Sequence, residues 1–142
     1  MDSFKFDAGE TSWLPKPRIL SGPLDQQPNI YTANYVRNVT EFGPLTEIRT
    51  GFGTQDVPLF VRMVDKDSRW GMNNGLRSIV TTLLAMNLAG YPYVLPDMIG
   101  GNAYLGEQVT GEIFVRWLQA STFMPSLQFS YVPWDFQSEE VN

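Results

Sequence analysis

Three aspartates, Asp7, Asp65 and Asp97, stand at the ends of short apolar runs that have the length of β-strands. In parallel α/β sheets and barrels, the carboxyl ends of the strands are where the chemistry sits. The chain has neither His nor Cys, which removes the imidazole base and the thiolate nucleophile. Any acid–base or nucleophilic work therefore falls to carboxylates, Lys or Tyr.

The elements that must position these acids alternate along the chain. Apolar periodicity predicts strands at 4–7, 45–50, 59–64, 93–95 and 126–131, and helices at 31–42, 72–89 and 107–120. Segment 11–29 carries four Pro and is predicted to be a long loop. This order predicts an α/β fold with a parallel sheet. A (β/α)8 TIM barrel needs about 250 residues, so residues 1–142 are expected to form a partial barrel. The polar tail, 137–142, is expected to fray.

Composition excludes several classes of partner and cofactor. The formal charge of −5 and the absence of basic runs argue against nucleic acid and anionic membrane surfaces. The sequence contains no run of about 18 apolar residues, so it predicts no membrane span. Without His or Cys we expect no soft metal site and no cofactor. The lack of Cys leaves the redox compartment undecided.

Five motifs, in order along the chain, carry a family resemblance. They are Asp7-Ala8-Gly9-Glu10, Arg49-Thr50-Gly51-Phe52, Asp65 sixteen residues after Arg49 with Trp70 five residues beyond it, Leu95-Pro96-Asp97-Met98-Ile99-Gly100-Gly101, and Glu112-Ile113-Phe114-Val115-Arg116-Trp117-Leu118-Gln119. This set resembles the catalytic barrel of glycoside hydrolase family 31, the retaining α-glycosidases. Each motif alone is weak, whereas their shared order is specific.

The resemblance implies roles for individual residues. Asp7 would be the nucleophile and Asp65 the acid/base, with their carboxyl groups about 5 to 5.5 Å apart on one rim of the sheet. Arg49 would contact the sugar and favour the ionised form of Asp7. Asp97 would bind sugar hydroxyls or supply a negative charge that keeps Asp65 protonated. The remaining expected substrate contacts are Arg62, Trp70 and Ser130. The expected substrate is a glycoside, and full-length relatives are expected in the secretory-pathway lumen or anchored to a membrane.

The chain departs from the family pattern at three places. The family's Trp-x-Gly-Asp is here Arg62-Met63-Val64-Asp65, its Asp-Met-Asn-Glu has Ala8-Gly9 in the middle, and its sugar-binding His falls at Ser130. Together these variants are similar to a galactosidase-like branch of the family. They favour galactose over glucose and leave the two-carboxylate mechanism in place.

Structural interpretations stand beside each functional one. An Asp at a strand end often caps a turn, and Asp67-Ser68 is predicted to cap the following helix. Glu112 and Arg116 have the spacing of an intrahelical ion pair. Phe114 and Trp117 are expected in the core. The alternative function is a non-catalytic carbohydrate-binding or scaffold protein derived from the barrel. As a partial barrel with exposed sheet edges, the isolated chain is expected to be poorly soluble and inactive.

Overall fold

The structure, a computed structural model, describes residues 2–137 and 141. The chain divides into two compact units, with the boundary between Arg62 and Met63. Unit 1 ends at Arg62 and unit 2 begins at Met63.

Unit 1 contains three parallel strands and one helix. They are β1 (Phe4–Lys5), α1 (Ile30–Val39), β2 (Thr46–Ile48) and β3 (Phe60–Arg62). β2 lies between β1 and β3, with Lys5 opposite Glu47 and Ile48 opposite Val61. The predicted strands 4–7, 45–50 and 59–64 and the helix 31–42 are therefore confirmed, the helix continuing as a 3-10 turn, Thr40–Phe42. The predicted loop 11–29 holds only two 3-10 turns, Thr11–Trp13 and Leu24–Gln26.

Apolar side chains on α1 and the sheet form the interior of unit 1. Val36 and Val39 of α1 are buried, as are Ile48 of β2 and Val61 of β3. Phe4, Phe6 and Phe42 form an aromatic cluster with ring centroids 4.9 to 6.2 Å apart. Burial of the four aliphatic side chains stabilises unit 1, whereas Phe4 and Phe42 of the aromatic cluster remain more than 40% exposed.

Unit 2 contains two helices and a short strand. They are α2 (Leu76–Leu88), β4 (Val94–Leu95) and α3 (Gly111–Ser121). The backbone N–H of Met63 donates to the carbonyl of Leu95 at 2.9 Å, so the chain entering unit 2 runs beside β4. The core is built from α2, β4 and α3, with Ile79, Val94, Phe114 and Trp117 at most 1% exposed. The prediction that Phe114 and Trp117 are core residues is confirmed.

Several predicted boundaries in unit 2 are wrong. In the predicted strand 126–131 only Gln128 pairs, through a single parallel bridge to Met98. Leu127 and Phe129 are both more than 40% exposed, so burial does not stabilise an extended strand there. α2 begins at Leu76, not at residue 72, because Gly75 is its N-cap. α3 begins at Gly111 because the Thr110 hydroxyl accepts a hydrogen bond from the N–H of Ile113.

The side chains predicted to cap α2 or to form an ion pair along α3 make other contacts. Asp67 pairs with Arg69 at 2.8 Å, and the Ser68 hydroxyl accepts from the N–H of Ala103, so neither caps α2. Arg116 donates to Gln119 at 3.1 Å instead of pairing with Glu112. The predicted helix cap and the predicted ion pair are therefore both wrong.

Two further predictions concern the C-terminal tail and membrane-spanning helices. Apart from positions 137 and 141, the tail 137–142 lies outside the described residues, and its fraying stays a prediction. Within residues 2–137 and 141, no helix has the length and apolar character required to cross a membrane.

Candidate active site

Asp7 lies two residues beyond the end of β1, in a turn that α1 holds in place. Ala8 and Gly9 both have positive φ, 60° and 92°. The Tyr35 hydroxyl donates to the Asp7 carbonyl at 2.6 Å, and the Thr32 hydroxyl donates to the Gly9 carbonyl at 2.8 Å. A Cβ on Gly9 would stand 2.5 Å from the Tyr35 ring. Glycine is therefore required for this turn to pack on α1.

The Asp7 carboxylate is held through one oxygen and still faces solvent. Arg62 Nη2 lies 2.9 Å and Arg49 Nε 3.2 Å from Asp7 Oδ1. The Asp7 side chain is nevertheless 62% exposed, whereas those of Arg62 and Arg49 are 3% and 10% exposed. Two guanidiniums therefore hold one oxygen of an exposed carboxylate. The predicted contact between Arg49 and Asp7 is thus present.

Each of the two arginines also contacts a second acid. Arg49 Nε lies 2.6 Å from Glu10 Oε1, and Arg62 Nε lies 2.9 Å from Glu47 Oε1.

Burial raises the pKa of the adjacent Tyr35, and the negative charge of Asp7 raises it further. Tyr35 therefore remains a neutral hydrogen-bond donor to the Asp7 turn.

Asp65 lies in unit 2, on the loop that precedes α2. The Tyr104 hydroxyl donates to Asp65 Oδ2 at 2.8 Å. Asn74 Nδ2 donates to the Asp65 carbonyl, also at 2.8 Å. The residue is partly exposed. Asp65 therefore combines access to solvent with a fixed backbone and a side-chain hydrogen bond.

Asp97 is fully buried and connects two loops of unit 2. Its φ is 66°, and its Oδ2 accepts from the Lys66 N–H and from Asn102 Nδ2, both at 2.7 Å. Asn102 also donates to the Lys66 carbonyl through its backbone N–H and its side chain. The contacts that the structure shows for Asp97 thus fix the residue next to Asp65, and its predicted contact with sugar stays a prediction.

The Lys66 side chain is buried against α2. Its Nζ lies 3.1 Å from the Ser78 hydroxyl and 3.4 Å from the Thr82 hydroxyl. Burial lowers the pKa of Lys66, and the negative charges of Asp97 and Asp67 oppose that shift. Lys66 therefore ties the Asp65 loop to the helix that follows it.

The other predicted substrate contacts are placed as follows. Trp70 is 44% exposed, and Ser130 is also exposed. Arg62 is 2% exposed and contacts Asp7 and Glu47. Sugar contact by these three residues stays a prediction, as does the separation of the Asp7 and Asp65 carboxyl groups. Gly101 packs against protein backbone, since a Cβ there would stand 2.8 Å from Ser68 N.

Sequence reasoning missed three residues that support the two acids: Glu47, Tyr35 and Tyr104. Glu47 and Tyr35 have no motif signal, because their contacts span long separations in sequence. Tyr104 had a weak one, since it lies on the loop that follows a parallel strand, where functional residues concentrate.

Comparison with known proteins identifies the family. The sequence profile of the glycosyl hydrolases family 31 TIM-barrel domain matches residues 25–141. The chain is 43% identical to the myogenesis-regulating glycosidase of Mus musculus, over 98% of this chain and 20% of that protein. It is 36% identical to the SITS-binding protein of Tetronarce californica, over 75% of this chain and 15% of that protein. It is 31% identical to the 1,3-alpha-isomaltosidase of Kribbella flavida, over 91% of this chain and 18% of that protein.

These matches agree with the motif resemblance and with the parallel strands and helices of the structure. The chain spans about a fifth or less of the length of these relatives. The family profile covers most of the chain, including Asp65 and Asp97. The chain therefore belongs to glycoside hydrolase family 31 and is an α/β segment of its TIM-barrel domain.

Proposed function

We propose that this chain supplies both catalytic carboxylates of a retaining α-glycosidase, with Asp7 as the nucleophile and Asp65 as the acid/base. The observation that supports the proposal is that the Asp7 carboxylate is held by two arginines and is still exposed. Its Oδ1 is held by Arg49 and Arg62, while the side chain remains 62% exposed. A nucleophile must be oriented and accessible, and the two contacts and the exposure of Asp7 supply both conditions.

The reaction divides into two displacements. In the first, Asp7 forms an ester bond to the anomeric carbon, the glycosidic C–O bond breaks, and Asp65 gives its proton to the leaving oxygen. In the second, Asp65 takes a proton from water, the water oxygen bonds to the anomeric carbon, and the ester to Asp7 breaks. The sugar leaves with retained configuration, and both acids return to their starting states. For these two displacements, the carboxyl groups of the nucleophile and the acid/base must stand about 5 to 5.5 Å apart.

The proposed substrate is an α-galactoside. Ser130 stands where the family places a sugar-binding His, and this departure supports galactose over glucose. Arg49, Asp97 and Trp70 are the proposed sugar contacts, and Arg62 acts through its contact with Asp7. The activity belongs to the whole protein, because a closed barrel needs about 250 residues, and residues 1–142 alone are expected to be inactive.

The test uses the whole protein and an activated fluoro-sugar, which traps the ester on the nucleophile. Mass spectrometry of peptides should locate the sugar on Asp7. Asp7→Asn should abolish the adduct, because a neutral amide does not attack the anomeric carbon. Asp56→Asn is the matched control, since Asp56 is also an exposed carboxylate paired with an arginine in unit 1. This control should label like the wild-type protein.

Asp65→Ala tests the second role. Natural substrates need protonation of the leaving group and should slow by about 10²–10⁴-fold. An aryl glycoside with a good leaving group needs little protonation, so its first step should be largely spared, and azide should rescue its turnover. Labelling at Glu10 or Asp67, or equal losses on both substrates for Asp65→Ala, would overturn the assignment.

The alternative is a non-catalytic carbohydrate-binding or scaffold protein. One observation favours it: a relative 36% identical to this chain is named for binding, as the SITS-binding protein. The same experiment separates the two functions. A wild-type protein that binds galactosides but forms no adduct with any activated fluoro-sugar supports the binding function. An adduct on Asp7 excludes it.

A further inference from the structure

We propose that Tyr104 is a positioning residue for Asp65, with its phenol fixing the orientation of the acid/base carboxyl group and favouring its ionised form. The inference rests on the proposed function, in which Asp65 is the acid/base. It assigns a role to a residue outside the five motifs that carry the family resemblance. The contact itself is the hydrogen bond from the Tyr104 hydroxyl to Asp65 Oδ2, at 2.8 Å.

The backbone around Tyr104 is built to hold this contact. The N–H of Asn102 donates to the Lys66 carbonyl at 2.9 Å, and the N–H of Ala103 donates to the Ser68 hydroxyl at 2.8 Å. Three consecutive residues, 102 to 104, thus bind the loop that carries Asp65. Ala103 has a φ of 50°, a left-handed conformation that alanine adopts only at a cost. This turn directs the chain into the 3-10 segment that begins at Tyr104.

A second connection fixes the same two loops further along. Glu107 accepts from the Ser68 N–H at 2.7 Å and from Arg69 Nε at 3.1 Å. Tyr104 is 46% exposed, so its ring is not held by deep burial. The hydrogen-bonded loops, rather than core packing, therefore place the phenol at Asp65.

The contact has a chemical consequence in each half of the reaction. In the first displacement Asp65 loses its proton, and a donor on one oxygen stabilises the carboxylate that forms. In the second displacement the same donor holds the carboxylate that must take a proton from water. A carboxyl group held through Oδ2 also does not rotate freely between its two oxygens. Tyr104 therefore affects the rate where proton transfer is limiting.

The other charged groups on these loops and on α2 are not altered by a change at Tyr104. On the two loops of unit 2 they are Lys66, Asp67, Arg69, Asp97 and Glu107, and α2 contributes Arg77. Arg69 pairs with Asp67 and Glu107, and Asp97 accepts from the Lys66 N–H. Replacing Tyr104 by Phe leaves these charges unchanged. A shift in the pH profile would therefore report the lost phenol hydroxyl.

The test compares Tyr104→Phe with the wild-type whole protein on two galactosides, one with a poor leaving group and one with an activated aryl leaving group. For the poor leaving group, kcat/KM should fall roughly 3- to 10-fold, the value of one solvent-accessible hydrogen bond. The basic limb of its pH profile should move up by about half to one pH unit. The activated substrate should change by less than about twofold, because it needs little protonation.

Two further variants separate positioning from folding. Tyr93→Phe is the matched control, since Tyr93 is 52% exposed and precedes β4, at the opposite strand end from Asp97. It should leave both rates and the pH profile unchanged. Tyr104→3-fluorotyrosine makes the phenol a stronger donor and should move the basic limb to lower pH.

The outcomes distinguish this inference from the proposed function. Equal losses on both substrates for Tyr104→Phe, with an unmoved pH profile, would show a structural role and overturn the inference, while Asp65→Ala still behaved as an acid/base variant. If Asp65→Ala itself kept full activity on the poor leaving group, the proposed function would fail first. A basic limb that moves in opposite directions for the two Tyr104 variants supports the inference.

Discussion

The buried Arg62 beside Asp7, the proposed nucleophile, should contribute more to stability than an exposed arginine with the same pairing chemistry. Arg62 is 2% exposed, and its guanidinium reaches Glu47 at 2.9 Å and Asp7 at 2.9 Å. Arg37 forms a two-pronged pair with Asp56 at 3.0 and 3.1 Å in the same unit. The side chains of that second pair are 49% and 66% exposed. Arg62→Met and Arg37→Met therefore remove the same kind of ion pair, and they differ mainly in how deeply the arginine is buried.

The expected magnitude follows from the partners of Arg62. Removing one member of a fully buried ion pair costs about 3–5 kcal/mol. The Glu47 side chain keeps 17% of its exposure, which lowers this cost, and Asp7 is exposed enough to be rehydrated. We therefore expect Arg62→Met to lower the free energy of unfolding by about 2–3 kcal/mol. Arg37→Met should produce no change beyond the error of the measurement, since water replaces its contacts.

Urea unfolding of the whole protein, followed by tryptophan fluorescence, measures both variants. The slope with denaturant should stay constant, so that the midpoint reports stability. Combining Arg62→Met with Glu47→Leu should recover about 1–2 kcal/mol, because an apolar pair replaces a broken ion pair. Equal destabilisation by Arg62→Met and Arg37→Met would refute the argument from burial.

Two further perturbations test the supports of the two acids. Gly9→Ala should destabilise unit 1 by about 2–4 kcal/mol and reduce labelling of Asp7, because its Cβ meets the Tyr35 ring; Gly43→Ala, with positive φ but open space around it, should cost only about 1–2 kcal/mol in the same unfolding assay. Burial holds the pKa of Lys66 below 10.5, so the unfolded chain binds more protons and stability rises with pH through the window between the folded-state pKa and about 10.5. Lys66→Met should therefore raise Tm at neutral pH, by an amount that shrinks as the pH approaches about 10.5. An increase in Tm that does not depend on pH would contradict the lowered pKa of Lys66.

Regular periodicity is what made the fold predictable. The helices around Val36, Ile79 and Trp117 show apolar residues at helical spacing, and these three side chains are buried in the structure. The strands were short but bounded by Gly, Pro and charged residues, which limited the error in their positions. Where local and long-range signals disagreed, the prediction was wrong: the alternating pattern around Gln128 looks like a strand, but its apolar residues are not buried.

The site was predictable only in part, for a physical reason. Strand ends and motif spacing indicated Asp7, Arg49 and Asp65, since these features are local in sequence. The groups that hold them are distant: Arg62 reaches Asp7 across 55 positions, and Tyr104 reaches Asp65 across 39. No periodicity encodes such contacts, because they depend on which strand ends and loops the fold brings together.

The departures from the family motifs acquire a different meaning once these contacts are known. Arg62 occupies the position of the motif Trp, and taken alone its substitution looks like loss of a substrate contact. In unit 1, however, Arg62 binds the carboxylate of Asp7 and the carboxylate of Glu47, so the aromatic group is replaced by a buried ionic contact to the proposed nucleophile. A decaying site has no reason to bury a guanidinium, because an unpaired charge in the interior is costly. The pairing therefore supports the proposed glycosidase function over the alternative of a non-catalytic scaffold.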